Sequence, residues 1–435
     1  MKFCMLTTFF GPHSFGGDAA YVDRLSRALA RRGHEVHVIY CADAFDAVRG
    51  DHPERSYEPV EGVTLHPLRS RWGFLSPLST QVSGRPALKK TAIREILDRV
   101  RPDVMHFHNI SLIGGPGLLK MGQGAVRIMT AHEHWLHCAN HLLWKNDEKF
   151  CDRRTCLSCV LKAHRPPQYW RQTGLIERSL ANLDWLIFPS FDASNRHRSI
   201  KSAVPRMVLP YFLPDDWSGG VEDEPRTPRE RPYLAAAGRL VRMKGFQSLI
   251  PIMARFPQID LKIAGTGPFE ADLRHIAAPF PNVEFTGLCD RKQLTKLFHN
   301  AEAVVVPSLF PETFGYVVSE AFAVRTPVIV HRGGGAIAET GELSGGGIGY
   351  DNPDQLETAI LTMLHDRETR NSLAETGYAR HREEWSESFH LNRYFDIIDE
   401  SRRGFATRRN SELSRAPHFS SIARRESSES TKTSG

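Results

Sequence analysis

At 435 residues the chain has room for roughly two to three domains, and 41% hydrophobic with 24% charged residues is the balance of an ordinary globular protein. No window holds the ~18 consecutive apolar residues of a membrane span. The net charge of +6 gathers largely in an Arg- and Ser-rich tail without interleaved aromatics or a recognised module, which argues against nucleic acid as a partner.

Lys2 to Phe10 reads as a buried strand rather than a leader segment, because a Gly-containing turn (Phe15-Gly16-Gly17) and an amphipathic pattern from Asp18 to Arg32 follow directly. Gly33 stands in the helix-stop position, and His34 to Cys41 is the next strand. Strand, Gly turn, helix, strand is the opening of a doubly wound α/β domain, whose ligand crevice lies at the carboxyl ends of its strands. Asp43 to Pro86 gives no clear pattern. Ala87 to Val100 reads as a helix, Asp103 to His108 and Val126 to Thr130 as strands. Each of these strands ends in histidines: His106 and His108, then His132 and His134.

Residues 135–170 form an insert holding four of the seven cysteines, Cys138, Cys151, Cys156 and Cys159, with twelve, four and two residues between them. The pair Cys156-Leu-Ser-Cys159 has the spacing that lets two thiolates reach one metal. In a reducing compartment such a cluster favours a structural zinc, with His134, His137 and His141 as reserve ligands; disulfides and free thiols stay open. A helix at Leu175 to Asn182 and strands at Trp185 to Pro189 and Arg206 to Pro210 follow. Pro214 to Pro232 is dense in Pro, Gly and acids and reads as a linker.

The second half repeats the style of the first. Strands are expected at Tyr233–Ala237, Asp260–Ala264, Val283–Phe285, Ala303–Val306, Pro327–Val330 and Gly347–Tyr350. Helices are expected at Gln247–Phe256, Phe269–Ala277, Asp290–Asn300, Pro353–His365, Arg367–Trp385 and Phe389–Ile398. Four loops after strands would meet at one rim: Gly238 to Gly245, Gly265 to Pro268, Ser308 to Gly315, and Gly333 to Gly335. There Arg239 and Lys244 suit a diphosphate, and Glu320 suits vicinal hydroxyls. From Ser401 on, the sequence is too poor in apolar residues to bury a core and is expected to be disordered.

Gly238-Arg239-Leu240, Lys244-Gly245, Gly265-Thr-Gly267-Pro268, Glu312 with seven residues before Glu320, and Gly333-Gly334-Gly335 together resemble the retaining glycosyltransferases of family 4. The resemblance is dense over Tyr233 to about Leu364. It is looser over the first half, where Phe15-Gly16-Gly17, His106-Phe-His108 and Ala131-His132 keep family order. His132-Glu133 stands where the family has His-Asp, and Pro210 to Pro214 stands where it has Asn-Gly. The cysteine insert resembles one carried by a subset of the family.

The resemblance implies two Rossmann-like domains facing across a cleft (the GT-B architecture): 1–213 on the acceptor side, a linker at 214–232, and 233–385 for the nucleotide sugar. A helix at 386–400 would pack back on the first domain, ahead of a basic tail at 401–435. By the same resemblance, Gly16, Gly17, Arg239, Lys244, Gly267, Phe314, Gly315 and Glu320 bind a nucleotide-diphosphate sugar, Glu312 holds the sugar's hydroxyls, and His132 lines the sugar and takes part in catalysis. No catalytic metal is expected. The acceptor would be a glycan or lipid-linked precursor and the location cytoplasmic, with a basic surface that leaves room for contact with the inner face of a membrane. A sugar-nucleotide epimerase and a noncatalytic sugar-nucleotide-binding protein are the competing readings.

Overall fold

The computed structural model describes residues 1–49, 57–227 and 230–415, with side chains as far as Gly404. Its strands, in chain order, are β1 (Lys2–Thr7), β2 (Glu35–Cys41), β3 (Val63–Leu68), β4 (Val104–Phe107), β5 (Val126–Thr130), β6 (Trp144–Lys145), β7 (Lys149–Phe150), β8 (Trp185–Phe188), β9 (Arg206–Val208), β10 (Tyr233–Ala237), β11 (Asp260–Ala264), β12 (Val283–Gly287), β13 (Ala303–Val306), β14 (Val328–His331) and β15 (Gly347–Tyr350). They build a seven-stranded sheet, β3-β2-β1-β4-β5-β8-β9, a six-stranded sheet, β12-β11-β10-β13-β14-β15, and a small antiparallel hairpin of β6 and β7 in the insert.

Every pairing in the two large sheets is parallel; Phe3, for example, lies between Val36 and Val104. Helices cover both faces of such sheets, so inner strands are apolar on both sides. Ala303–Val306, sequence AVVV, is buried throughout for that reason. In each sheet the chain starts at a central strand and winds outward in both directions. The order reverses between β1 and β4 in the first sheet and between β10 and β13 in the second. A crevice opens at the carboxyl ends of such a pair.

Several elements differ from expectation. The unreadable stretch before Pro86 contains the helix Ala42–Arg49, the edge strand β3 and the helix Leu75–Ser83; residues 50–56 lie outside the described residues. Pro67 obscured β3 in the sequence, and it is tolerated because β3 pairs on one side only. The helix expected over Gln247–Phe256 is α-helical only over Phe246–Leu249. From Ile250 to Arg255 it tightens into a 3-10 helix at Pro251, which has no N–H to give. The last helix runs Glu387–Arg415, so its backbone passes through the first part of the stretch expected to be disordered from Ser401. Its first turns are anchored, and a helix once nucleated extends at little cost through residues of fair propensity. Residues 416–435 lie outside the described residues.

That anchoring ties the two ends of the chain together. Tyr394 is fully buried, stacks on Phe3, and shares a 3.0 Å hydrogen bond with His106 Nδ1. Glu387 takes Arg31 and Arg32 from the first helix at 2.5 and 2.9 Å. Trp185 Nε1 donates to Ser401 Oγ at 3.1 Å. One apolar core runs continuously from Phe3 and Tyr21 through Tyr211, Phe212 and Leu391 to Trp385, Phe314 and Phe322. Replacing Tyr394 by Ala removes a buried ring from this junction. We expect it to destabilise the protein by roughly 3–5 kcal/mol, the usual cost for a buried aromatic. Denaturant titration checks this: a loss below about 1 kcal/mol would mean that the helix does not hold the domains.

Candidate active site between the two sheets

The second sheet's rim is built backbone against backbone. Gly245 (φ +77°) closes the loop after β10, and a Cβ there would stand 1.9 Å from Pro307 O in the loop after β13. Gly267 meets Leu240 O in the same way, at 2.3 Å, while Leu240 N–H donates to Thr266 O at 2.9 Å. Gly335 (φ +73°) lies against Pro311; Glu312 N–H donates to Gly334 O and Ala336 N–H to Glu312 O, both at 2.9 Å. Gly315 (φ +87°) leaves no room for a side chain beside Ile337. The sequence's four glycine-containing loops are therefore one interlocked rim.

On it, Lys244 Nζ donates to Glu312 Oε1 at 2.8 Å, and the Ser308 hydroxyl donates to the same oxygen. The Lys244 and Glu312 side chains are only 21% and 13% exposed. Lys244 also sits 5.3 Å from the centre of the Phe310 ring. Arg239 is exposed on the same rim.

Across the cleft, the helix Gly17–Arg31 begins at Gly16, whose φ of +92° suits glycine. A Cβ on Gly17 would lie 3.5 Å from the Tyr316 ring, so the two domains meet here at van der Waals distance. Seven residues on, Arg24 reaches over Tyr316 (4.3 Å to the ring centre) and Trp217 (4.6 Å) and lies 3.7 Å from Glu320. Burial pushes the Glu320 carboxyl above its usual range, and Arg24 pulls it partly back. Arg24 Nη1 and the Tyr316 hydroxyl are buried without a hydrogen-bond partner among the described residues.

His132 is nearly buried. Its Nδ1 shares a 2.6 Å hydrogen bond with the Tyr211 hydroxyl and its Nε2 one of 2.9 Å with His108 Nδ1. Its carbonyl accepts from Thr313 Oγ1 of the opposite domain at 2.8 Å. Burial pushes its pKa down to about 3, so the ring is neutral at ordinary pH. Next to it, Glu133 takes Asn109 Nδ2 on one oxygen and His141 Nδ1 (2.8 Å) on the other. Asn109 Nδ2 also reaches Asp18 at 3.1 Å. Burial, and then repulsion from Glu133, raise Asp18 to about 7. His134 Nε2 donates to Pro311 O at 2.9 Å, and Glu339 accepts from Phe191 and Asp192 N–H at 2.9 and 2.8 Å.

The structure thus brings Gly16, Gly17, Lys244, Gly315, Glu312 and Glu320 to one cleft, with His132 in its wall and Gly267 supporting the rim from behind; the Phe314 ring is instead buried in the core against Tyr211 and Trp385. Sequence reasoning missed Asp18, Arg24, Asn109, Tyr211, Thr313 and Tyr316. Two had a usable signal: Arg24 lies two helical turns after Gly17, and Tyr316 directly follows Gly315. The four insert cysteines are all unpaired, and among the described residues no three His, Cys, Asp or Glu side chains form a ready-made metal group. No described helix is long and apolar enough to cross a membrane.

Two facing doubly wound sheets with chemistry at both switch points define the GT-B class. The family model described as Glycosyltransferase Family 4 matches residues 15–207, and the one described as Glycosyl transferases group 1 matches residues 222–380. The chain is a glycosyltransferase built of these two domains. The sulfoquinovosyl transferase SQD2 of Arabidopsis thaliana is 32% identical over 173 residues, 35% of this chain and 34% of that protein. A GDP-mannose-dependent alpha-(1-6)-phosphatidylinositol dimannoside mannosyltransferase of Mycobacterium tuberculosis is 26% identical over 378 residues, 84% of this chain and 88% of its own length. Sucrose-phosphate synthase from Thermosynechococcus elongatus superposes with a TM-score of 0.67 at 20% identity, covering 93% of this chain and 99% of that one.

The buried histidines fix a pH dependence. His132 and His197 are pushed down to about 3 and His134 and His390 to about 4, mainly by burial, from an ordinary 6.5. They are neutral in the fold but charge when unfolded. The unfolded chain therefore binds more protons below about 6.5, and stability falls as the pH drops toward 4. Asp18 and Glu320 are raised and work the other way, but they are outnumbered. The melting temperature should fall on acidification from pH 7 to 4.5. Replacing His390 by Gln should flatten the slope by at most about 1.4 kcal/mol per pH unit. An unchanged slope in that variant would show that His390 titrates normally.

Proposed function

We propose that the chain moves a sugar from a nucleotide-diphosphate sugar to an acceptor hydroxyl with retention of anomeric configuration, in glycan or polysaccharide synthesis. The observation that carries this reading is the half-buried Lys244–Glu312 pair on a glycine-built rim, facing the start of the helix Gly17–Arg31. Breaking the glycosidic bond of such a donor builds charge on the leaving diphosphate. Lys244, Arg239 and the N–H groups after Gly16 are suited to stabilise it, with no metal needed for that step. Once a diphosphate competes for Lys244, Glu312 becomes a free acceptor for sugar hydroxyls. Glu320 serves the ribose from its place beside Arg24.

In this reading Glu312 is given to the sugar's hydroxyls, which leaves no nucleophile assigned to the donor's far face. We therefore favour a front-face path in which the leaving phosphate takes the acceptor's proton. His132, neutral and hydrogen-bonded, then acts as a wall for the sugar rather than as a proton source. For the acceptor, the exposed Trp72 (49%) and Phe74 (63%) beside Arg69 and Arg71 favour a lipid-linked molecule at an anionic membrane face.

Replacing Lys244 by Ala should lower kcat by about 10²–10³, the usual cost of one transition-state donor, while leaving the fold intact. Near-normal turnover of a folded variant would remove Lys244 from the reaction. NMR of the product should show the donor's anomeric configuration; an inverted product would refute the front-face path, and an epimerised free sugar nucleotide would replace transfer as the activity.

A further inference from the structure

The cysteine insert begins with a tight turn. Cys138 N–H donates to His134 O at 2.6 Å, and His141 N–H donates to Cys138 O at 3.1 Å. The turn takes left-handed backbone at two residues that are not glycine, His141 (φ +76°) and Leu143 (φ +51°). The chain next forms the hairpin β6–β7, and Cys151 follows directly, its N–H returning to Leu143 O at 2.8 Å. Cys156 and Cys159 occupy one turn of the helix Cys156–Lys162. Asn140 Nδ2 donates to Cys159 O at 3.1 Å, which ties the turn after Cys138 to that helix.

Two further polar groups, Asn140 and Arg171, stand beside this place. Asn140 Nδ2 donates to Cys159 Sγ at 3.0 Å. The Arg171 guanidinium lies over Trp135 and Trp170, gives its Nε–H to Gln168 Oε1, and keeps Nη2 buried without a hydrogen-bond partner among the described residues. The insert around it carries six Lys and Arg against three Asp and Glu. The histidines that might compete as ligands are engaged elsewhere. His134 binds Pro311 O, His141 binds Glu133, and His137 binds Arg154 and Ser199.

We propose that Cys138, Cys151, Cys156 and Cys159 bind one structural zinc ion: Cys138 from a knuckle-like turn, Cys151 from the end of a hairpin, and Cys156 with Cys159 from one helical turn. Binding releases the four thiol protons and leaves four thiolates around a dication, a site of net charge −2 that Arg171 and Asn140 are placed to balance. Among the described residues no three such side chains form a ready-made metal group, so binding has to draw the sulfurs together. The site has a consequence for the cleft. The turn from His134 to His141 is closed by His134 N–H to His141 O at 2.9 Å, and its two end histidines hold Pro311 O and Glu133. Zinc in the insert therefore braces the loop that carries Glu312.

The test uses the full chain purified without a histidine tag. Elemental analysis should find about one zinc per chain, released in step with mercurial titration of the insert thiols. Cobalt exchange should give thiolate charge-transfer bands. Cys156→Ser should lose the metal, while Cys289→Ser, outside the insert, should keep it. Wild-type protein that stays far below stoichiometric zinc after reduction and reconstitution, or that shows disulfides among the four cysteines by mass, overturns the site without any need for the variants to fold. Stripping the metal should speed hydrogen exchange across residues 134–141 and 307–315; unchanged exchange at 307–315 would overturn the bracing role.

Discussion

A carboxylate and an ammonium held 2.8 Å apart on a rim of glycine turns set the terms for the rest of this molecule. Pairing two charges in a place this dry gains little net stability, because both must give up water. The pair persists because Ser308 adds a second hydrogen bond to Glu312 and because Gly245, Gly334 and Gly335 let three loops meet without side chains between them. On the proposed function, exchanging this internal partner for a ligand's diphosphate would turn a costly pair into selectivity for an anion that carries hydroxyls nearby.

The opposite wall is built on neutral groups. His106, His108, His132 and His390 are all buried; Tyr394, Tyr211 and Tyr21 hydrogen-bond His106, His132 and His390 in turn, and His108 is bonded to His132. His390 donates from Nδ1 to Pro210 O at 2.7 Å, so as a neutral ring it accepts from Tyr21 at Nε2, 2.9 Å away. These residues come from the first helix, two strand ends, the crossing segment and the last helix. The network therefore fastens the points where the chain passes between the domains. Close by, Thr313 to His132 O and His134 to Pro311 O link the loop after β13 to the first domain by single hydrogen bonds. Bonds of that kind are individually weak, which suits a cleft that must admit a ligand and release it.

The alternating strands and helices were legible because parallel strands buried on both faces read as apolar runs, as Ala303–Val306 does, and because glycines mark the turns at their ends. Asp290 was legible as a cap, and the structure gives it a reciprocal bond pair with Gln293. The rim residues followed from their order along the chain. What the sequence hid depends on partners far apart in it. Tyr211 meets His132 across 79 residues, and Tyr394 meets His106 across 288. Arg24 lies two turns into the first helix, and its partners Trp217, Tyr316 and Glu320 close around it only in the fold. Strand β3 was hidden by Pro67, which only an edge position excuses.

The most direct measurement is thermal stability of the full chain against a panel of UDP-, GDP- and ADP-sugars, since a ligand that binds only the folded state raises its melting temperature. The account predicts that one nucleotide class stabilises the protein, that the free sugar does not, and that Glu320→Gln weakens the effect. Failure of every nucleotide to shift the transition, or an undiminished shift in Glu320→Gln, would contradict the assignment of this cleft to a nucleotide sugar.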